Sequence, residues 1–145
     1  MHKVKYLVSA CLCGIGSRFD GKYARDDQIA ELVKKGRAIP VCPEELGGLP
    51  VPRPPADIEK GDGQNILSQQ SRVISQNEED LTPFFLRGAF ASVRIAKRFK
   101  IKKAILKRKS PSCGCGWIKR KGKLVKGDGV TVALLKEEGI QVIPR

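Results

Sequence analysis

Hydrophobic residues along the chain fall into short runs that alternate with amphipathic segments. Residues 4–10 form a nearly continuous apolar run, which is typical of a strand covered on both faces. Further on, Ile29, Leu32 and Val33 recur at helical spacing. A second apolar run follows at residues 37–41. This part of the chain therefore predicts a strand, a helix and a second strand.

The middle of the chain has weaker periodicity. Residues 43–63 are rich in proline and glycine and predict an irregular loop, of a length that usually indicates function. Residues 66–75 favour a small hairpin or an irregular segment. Thr82 and Pro83 predict a helix start with a capping hydroxyl, and an apolar stripe continues that helix to about Lys100.

The alternation of strands and helices continues to the end of the chain. We expect a strand at 103–107, a hairpin between 117 and 125, a helix at 130–138 capped by Asp128, and an edge strand at 140–143. This order predicts an α/β fold. Specifically, we expect a single three-layer domain over residues 1–145, with a mostly parallel four-stranded sheet of the Rossmann or flavodoxin-like kind plus small hairpins.

Three cysteines follow predicted strands. Cys11 comes after the first strand, Cys42 after the second, and Cys113 lies in the loop after the strand at 103–107. Ligands of parallel sheets bind outside the carboxyl ends of the strands, and neighbouring strands lie about 4.8 Å apart. We therefore expect the three thiols to converge at one edge of the sheet.

Thiolates bind zinc or iron-sulfur clusters. The chain has five cysteines, an odd number that a disulfide framework explains poorly, and it contains no Cys-x-x-Cys pair. Its one histidine is His2, so zinc would lack its usual imidazole ligands. Three dispersed thiolates fit a cubane cluster in which one iron lacks a protein ligand. A zinc-bound structural domain and cysteines that act only as small buried hydrophobes remain alternatives.

The charge of the chain indicates an anionic partner. There are 28 Lys and Arg against 15 Asp and Glu, a net charge of +13. A basic RNA-binding or RNA-associated module is therefore an alternative function, and solvated surface lysines are the simpler explanation. No apolar segment is long enough for a membrane span or a signal-peptide core, so we expect no membrane partner. Clustered thiols favour a reducing cytoplasm.

Six short motifs resemble, in order and over nearly the whole chain, those of the DUF523 family. They are VSACL at 8–12, RFDG at 18–21, PVCPE at 40–44, GGLPVPR at 47–53, SPSCG at 110–114 and GDGVT at 127–131. The resemblance implies a non-redox, iron-sulfur-dependent desulfidase that acts on thiolated pyrimidine-like compounds, either a base or a nucleotide.

The same resemblance implies roles for individual residues. A 4Fe-4S cluster is expected on Cys11, Cys42 and Cys113, with its fourth iron open to the sulfur of a thiocarbonyl substrate. Glu44 and Ser110 occupy the positions that handle the attacking water.

Several neighbouring residues are alternates or complications. Glu45 and Ser112 are alternates for the water-handling positions. Arg18 and Arg53 are expected to bind an anionic substrate group or to neutralise the cluster. Cys13 and Cys115 depart from the family pattern, and either one could close the open iron site or replace a neighbouring ligand.

Overall fold

The structure is a computed structural model that describes residues 3–16, 18, 20–21 and 25–145. The strands are β1 Tyr6–Ser9, β2 Ala38–Val41, β3 Ala56–Ile58, β4 Val73–Ser75, β5 Lys103–Leu106, β6 Trp117–Arg120, β7 Lys123–Lys126 and β8 Gln141–Pro144. The helices are α1 Asp27–Lys34, α2 Pro43–Leu46, α3 Gly63–Leu67, α4 Thr82–Arg98 and α5 Val130–Glu137, with a short 3₁₀ helix at Ala10–Cys13. His2 lies outside the described residues.

The main sheet is parallel and has the strand order β2-β1-β5-β8. Two antiparallel pairs, β3 with β4 and β6 with β7, form separate small sheets. The predicted α/β class with a four-stranded parallel sheet is confirmed. From β1 the chain first adds β2 on one side of β1 and later adds β5 on the other side. The strand order therefore reverses between β1 and β5. This is the place at which open α/β sheets bind their ligands.

Helices cover both faces of the main sheet. Leu7, Ala104 and Leu106 belong to the larger core, which includes α4 and α5. Val8 and Ile105 point to the other face and pack in a smaller core with α1. This alternation of side chains along β1 and β5 explains why consecutive residues in the middle of these strands are apolar on both faces of the sheet.

The segment from 43 to 75 is more regular than the sequence predicts. Pro43 begins the short helix α2, because proline at the first helical position lacks only an amide that the helix does not use. The predicted loop also contains β3, which pairs with β4, and α3 lies between them. Pairing partners distant in sequence stabilise these short elements, so local composition did not reveal them.

Two predicted helix caps are wrong in detail. The Thr82 hydroxyl accepts a hydrogen bond from the Val73 amide at 2.8 Å, and so joins β4 to α4 instead of capping the helix. The Asp128 carboxylate accepts a hydrogen bond from the Gly116 amide at 2.7 Å and forms an ion pair with Lys136 at 2.9 Å. Helix α5 has no side-chain cap. Both side chains connect elements that the sequence alone does not show to be neighbours.

In the described ranges of the chain, no helix is both long and apolar enough to cross a membrane.

Candidate active site

A cavity of about 1040 Å³ opens at the carboxyl ends of β1, β2 and β5. Its walls include eight candidate residues from the sequence analysis: Cys11, Arg18, Cys42, Glu44, Arg53, Ser110, Ser112 and Cys113. The alternate Glu45 is outside the wall. Further parts of the wall come from the segments around β3 and β4 and from the turn between β6 and β7. The parallel sheet therefore brings together side chains that are far apart in the sequence.

Each of the three cysteines is placed by the strand before it. Cys11 lies in the 3₁₀ helix directly after β1 and is buried. Cys42 is half-buried at the start of α2, immediately after β2. Cys113 is buried in a tight turn after β5, in which the Gly114 amide donates to the Ser110 carbonyl at 2.9 Å.

Burial and mutual repulsion make these thiols hard to ionise. Burial is the main cause that raises the pKa of Cys11 and of Cys42, and Cys42 raises the pKa of Cys11 further. Burial raises the pKa of Cys113 to about 12, with further contributions from Cys42, Glu44 and Cys11. Three thiolates in this cavity would therefore need a positively charged partner.

Glu44 and Arg53 form an ion pair against the wall of the cavity. The Arg53 Nε donates to Glu44 Oε2 at 2.6 Å, and the side chains are only 4% and 15% exposed for Arg53 and Glu44, respectively. Arg53 Nη2 also donates to Cys42 Sγ at 3.6 Å. The sequence predicts that Arg53 binds an anionic substrate group or neutralises the cluster, and in the structure it contacts two of the other candidate residues, Glu44 and Cys42.

The two serines of the SPSCG motif have different environments. The Ser110 hydroxyl is half-buried and accepts a hydrogen bond from the Cys113 amide at 2.6 Å, which shapes the turn that carries this cysteine. Ser112 is 1% exposed, and its hydroxyl lies 3.0 Å from that of Thr131. Ser110 is therefore the more accessible of the two from the cavity.

Basic side chains surround the Cys11 side of the cavity. Arg18 lies 3.6 Å from Asp20, and both Lys107 and Arg18 oppose the rise in the pKa of Cys11. Burial lowers the pKa of Lys107, Cys11 opposes that change, and Arg18 and Lys109 lower it further. This crowding of cations suits an anionic group in the cavity.

The family to which the chain belongs follows from a comparison with known protein families. The model of the 2-thiouracil desulfurase family matches residues 6–145, nearly the whole sequence. The chain belongs to the 2-thiouracil desulfurase family. The prediction of a desulfidase-like enzyme and the resemblance described above are confirmed by this membership.

Two relatives of this 2-thiouracil desulfurase family member show how far the similarity extends. The protein YbbK of Bacillus subtilis (strain 168), which is uncharacterised, is 41% identical over 140 residues that cover 94% of this chain and 93% of YbbK. A solved structure of TudS, a 4Fe-4S-dependent thiouracil desulfidase, is 38% identical and superposes with a TM-score of 0.85 over 99% of this chain and 91% of that one. The cofactor of TudS is the one that the sequence motifs predict here.

The two remaining cysteines of this desulfurase family member lie away from the cavity wall. Cys13 packs against the smaller core, and its thiol donates to the Ser9 carbonyl at 3.7 Å. Cys115 packs against the larger core and lies next to Lys136. Neither thiol lines the cavity, so their positions do not suit replacement of Cys11 or Cys113.

The three cavity thiols are not arranged for a single metal ion. Among residues 3–16, 18, 20–21 and 25–145, no three His, Cys, Asp or Glu side chains form a group that could hold one ion.

Sequence reasoning missed one residue of this cavity, Ser9. Its buried hydroxyl accepts a hydrogen bond from the Lys107 amide at 2.8 Å. The Ser9 side chain also forms a hydrogen bond with the Cys113 side chain, which lowers the pKa of Cys113. Ser9 is the last residue of β1, so the strand-end rule that identified the cysteines applies equally to this hydroxyl. A polar residue at the end of an apolar strand was the sequence signal that could have identified Ser9 as part of the cavity.

Proposed function

We propose that this chain is an iron-sulfur-dependent desulfidase, which replaces the thiocarbonyl sulfur of a pyrimidine-like base or nucleotide with oxygen from water. Sulfur would leave as hydrogen sulfide, and no electrons are transferred overall. The observation that carries the proposal is the arrangement of three thiols from three neighbouring strand ends beside Glu44 in one cavity.

The residues present fit a 4Fe-4S cluster on Cys11, Cys42 and Cys113. Burial raises the pKa of all three thiols, and a cationic iron-sulfur core would offset the cost of ionising them together. Arg53 and Lys107 line the same cavity and would balance the excess negative charge of three thiolates. The described part of the wall contains no fourth thiol, which suits an iron that keeps an open position.

When bound, such a cluster supplies a Lewis-acidic iron that polarises the carbon-sulfur bond of the substrate. The protein side chains would then handle the water. Glu44 would accept a proton from it as general base, since the described cavity wall contains no histidine. The Ser110 hydroxyl would orient the water, while Ser112 would support the loop from within through Thr131.

The substrate class follows from the size and charge of the cavity. A volume of about 1040 Å³ is enough for a thiolated base or nucleotide. Arg18 is proposed to contact an anionic substrate group, because it lines the cavity beside Lys107 and Cys11. The comparisons concern a thiolated base and give no support to an RNA partner. We propose the reducing cytoplasm as the location of the protein, because clustered thiols meant for a metal cluster must stay reduced.

The test is anaerobic reconstitution with iron and sulfide, followed by iron and acid-labile sulfide analysis and by assay of sulfide and uracil release from 2-thiouracil. We expect a brown protein that carries about four irons per chain and releases sulfide and uracil in equal amounts. A protein that binds no iron under these conditions would overturn the proposal.

The C113S variant provides the matched comparison. It should lose the cluster and the activity together, because Cys113 is a proposed ligand. Zinc in freshly purified protein would support the structural-zinc alternative. An RNA mobility shift that weakens steeply with salt and persists in C113S would support the RNA-binding alternative.

A further inference from the structure

We propose that Arg53 is a positioning residue. Its guanidinium group fixes the orientations of both the proposed general base, Glu44, and the proposed cluster ligand, Cys42. This inference rests on the proposed function and assigns to Arg53 a role different from substrate binding.

The contacts of Arg53 carry the proposal. Each of its three nitrogens donates to a protein atom: Nε to Glu44 Oε2 at 2.6 Å, Nη1 to the Pro50 carbonyl at 3.1 Å and Nη2 to Cys42 Sγ at 3.6 Å. The residue is 8% exposed although it lines the cavity. Its donors are therefore directed mainly at the protein, and little of the guanidinium surface faces a substrate.

The geometry of guanidinium explains why arginine suits this position. Its planar fork fixes the directions of several donors at once, which an ammonium group cannot do. Nη1 is held by the Pro50 carbonyl, while Nε contacts Glu44 and Nη2 contacts Cys42. A rotation of any one partner would disturb the other two, so the base and the ligand are coupled through Arg53.

Two chemical consequences follow. A cation and a hydrogen-bond donor beside Cys42 stabilise its thiolate, and donors to cluster sulfurs shift the cluster reduction potential. The same guanidinium restricts the Glu44 carboxylate to a narrow range of orientations, which favours proton transfer in the transition state more than substrate binding. Loss of Arg53 should therefore appear in kcat and in the properties of the cluster, not in KM.

The first experiment measures kcat, KM and the cluster potential in reconstituted R53Q and R53K. We expect kcat to fall about 10- to 100-fold in both variants, with KM within about twofold of wild type. The reduction potential of R53Q should become more negative, because a cation beside a thiolate is lost, and that of R53K should lie closer to wild type. A rise in KM at unchanged kcat would overturn the proposal and return Arg53 to substrate binding.

The matched control is Arg87, which contacts the other end of α2. Its Nη1 donates to the Gly47 carbonyl at 3.0 Å, and its guanidinium stacks over Phe84 outside the cavity. If general loosening of α2 caused the loss in R53Q, then R87Q would show the same fall in kcat and the same change in potential. We expect R87Q to retain both values, and a parallel loss in R87Q would overturn the specific role of Arg53.

A double variant separates action through Glu44 from independent action. If Arg53 works by positioning Glu44, then R53Q adds little to the loss of kcat already present in E44Q, within about twofold. Losses that multiply would contradict the coupling. Should R53Q fail to fold by circular dichroism, R53K in the same cycle decides the question. If the wild-type protein binds no iron after reconstitution, the proposed function is overturned. If the wild-type protein is active but the Arg53 variants have the same kcat and reduction potential, only this inference is overturned.

Discussion

Glu44 and Glu45 are adjacent on α2, but only the Glu44 side chain lines the cavity, while Glu45 is exposed. We predict that E44Q lowers kcat about 10²- to 10⁴-fold while the iron content stays at the wild-type value, because the amide cannot accept the proton of the water. E45Q should keep its turnover and serves as the control. Steady-state kinetics with 2-thiouracil and iron analysis check both variants, and an active E44Q would exclude Glu44 as the base.

The five cysteines should divide into two groups. Serine at position 11, 42 or 113 should lower the iron content and abolish sulfide release, since these thiols line the cavity. C13S and C115S should bind wild-type amounts of iron, because their side chains pack against the two cores. Iron per chain after anaerobic reconstitution measures the difference. Loss of iron in C13S or C115S would contradict this assignment of the ligands.

The strand-end cysteines could be located from sequence because parallel strands present their carboxyl ends at one edge of a sheet. Glu44 follows Cys42 closely, so it arrives at the same edge. The contacts of Arg53 could not be located in this way. They depend on the path of the chain between α2 and β3, which has no periodic pattern to read, and the pairing of Ser112 with Thr131 likewise depends on where α5 packs.

At the scale of elements, the start of α4 depends on a charged side chain. Asp80 accepts a hydrogen bond from the Thr82 amide at 2.9 Å, and hydrogen bonds from the Thr82 side chain and backbone lower the pKa of Asp80. We predict that D80N destabilises the fold by only about 0.3–0.5 kcal/mol at neutral pH, because the Asn oxygen can still accept the hydrogen bond and only the exposed charge near the helix N-terminus is lost. Because the folded-state pKa is the lower one, this stabilisation is present above the ordinary pKa of Asp and is lost as the pH falls through the folded value.

Urea unfolding of wild type and D80N from neutral to acid pH checks this prediction. The difference in free energy of unfolding should shrink as the pH decreases. A difference that stays constant across the range would show that the charge of Asp80 is not the cause.

The placement of α2 depends on a close crossing with α4. A Cβ at Gly88 would lie 1.8 Å from the Pro43 carbonyl oxygen, which is far inside van der Waals contact with backbone. We predict that G88A destabilises the protein by about 1–3 kcal/mol and lowers its iron content, because the shift of α2 displaces Cys42. The exposed residue Arg94 of the same helix offers a control, since R94A should change neither the stability nor the iron content. Thermal unfolding and iron analysis measure the effects.

The elements that the sequence predicts correctly are those with strong internal periodicity or apolar runs. The central strands, α1 and α4 agree with the prediction to within a few residues. The short elements α2, β3, α3 and β4 have three to five residues each, too few to display a period. Their stability comes from partners elsewhere in the chain, so local sequence cannot reveal them.

At the scale of the whole molecule, the proposed cluster joins the segments that follow β1, β2 and β5. We predict that removal of iron lowers Tm by at least about 5 °C, since a ligand that binds only the folded state stabilises it. Calorimetry of the reconstituted and iron-free protein measures the change. E44Q should show the same difference as wild type, and equal Tm values with and without iron would contradict a structural contribution from the cluster.

The distance in sequence between β5 and the first two strands of the sheet also sets the order of events during synthesis. A ribosome produces Cys11 and Cys42 early, but the pocket lacks its third sulfur until Cys113 has emerged and β5 has docked beside β1. With Cys113 as the proposed third ligand, iron delivery would wait for a nearly finished polypeptide. Maturation factors would encounter an already folded acceptor, and nascent chains stalled before Cys113 should remain colourless.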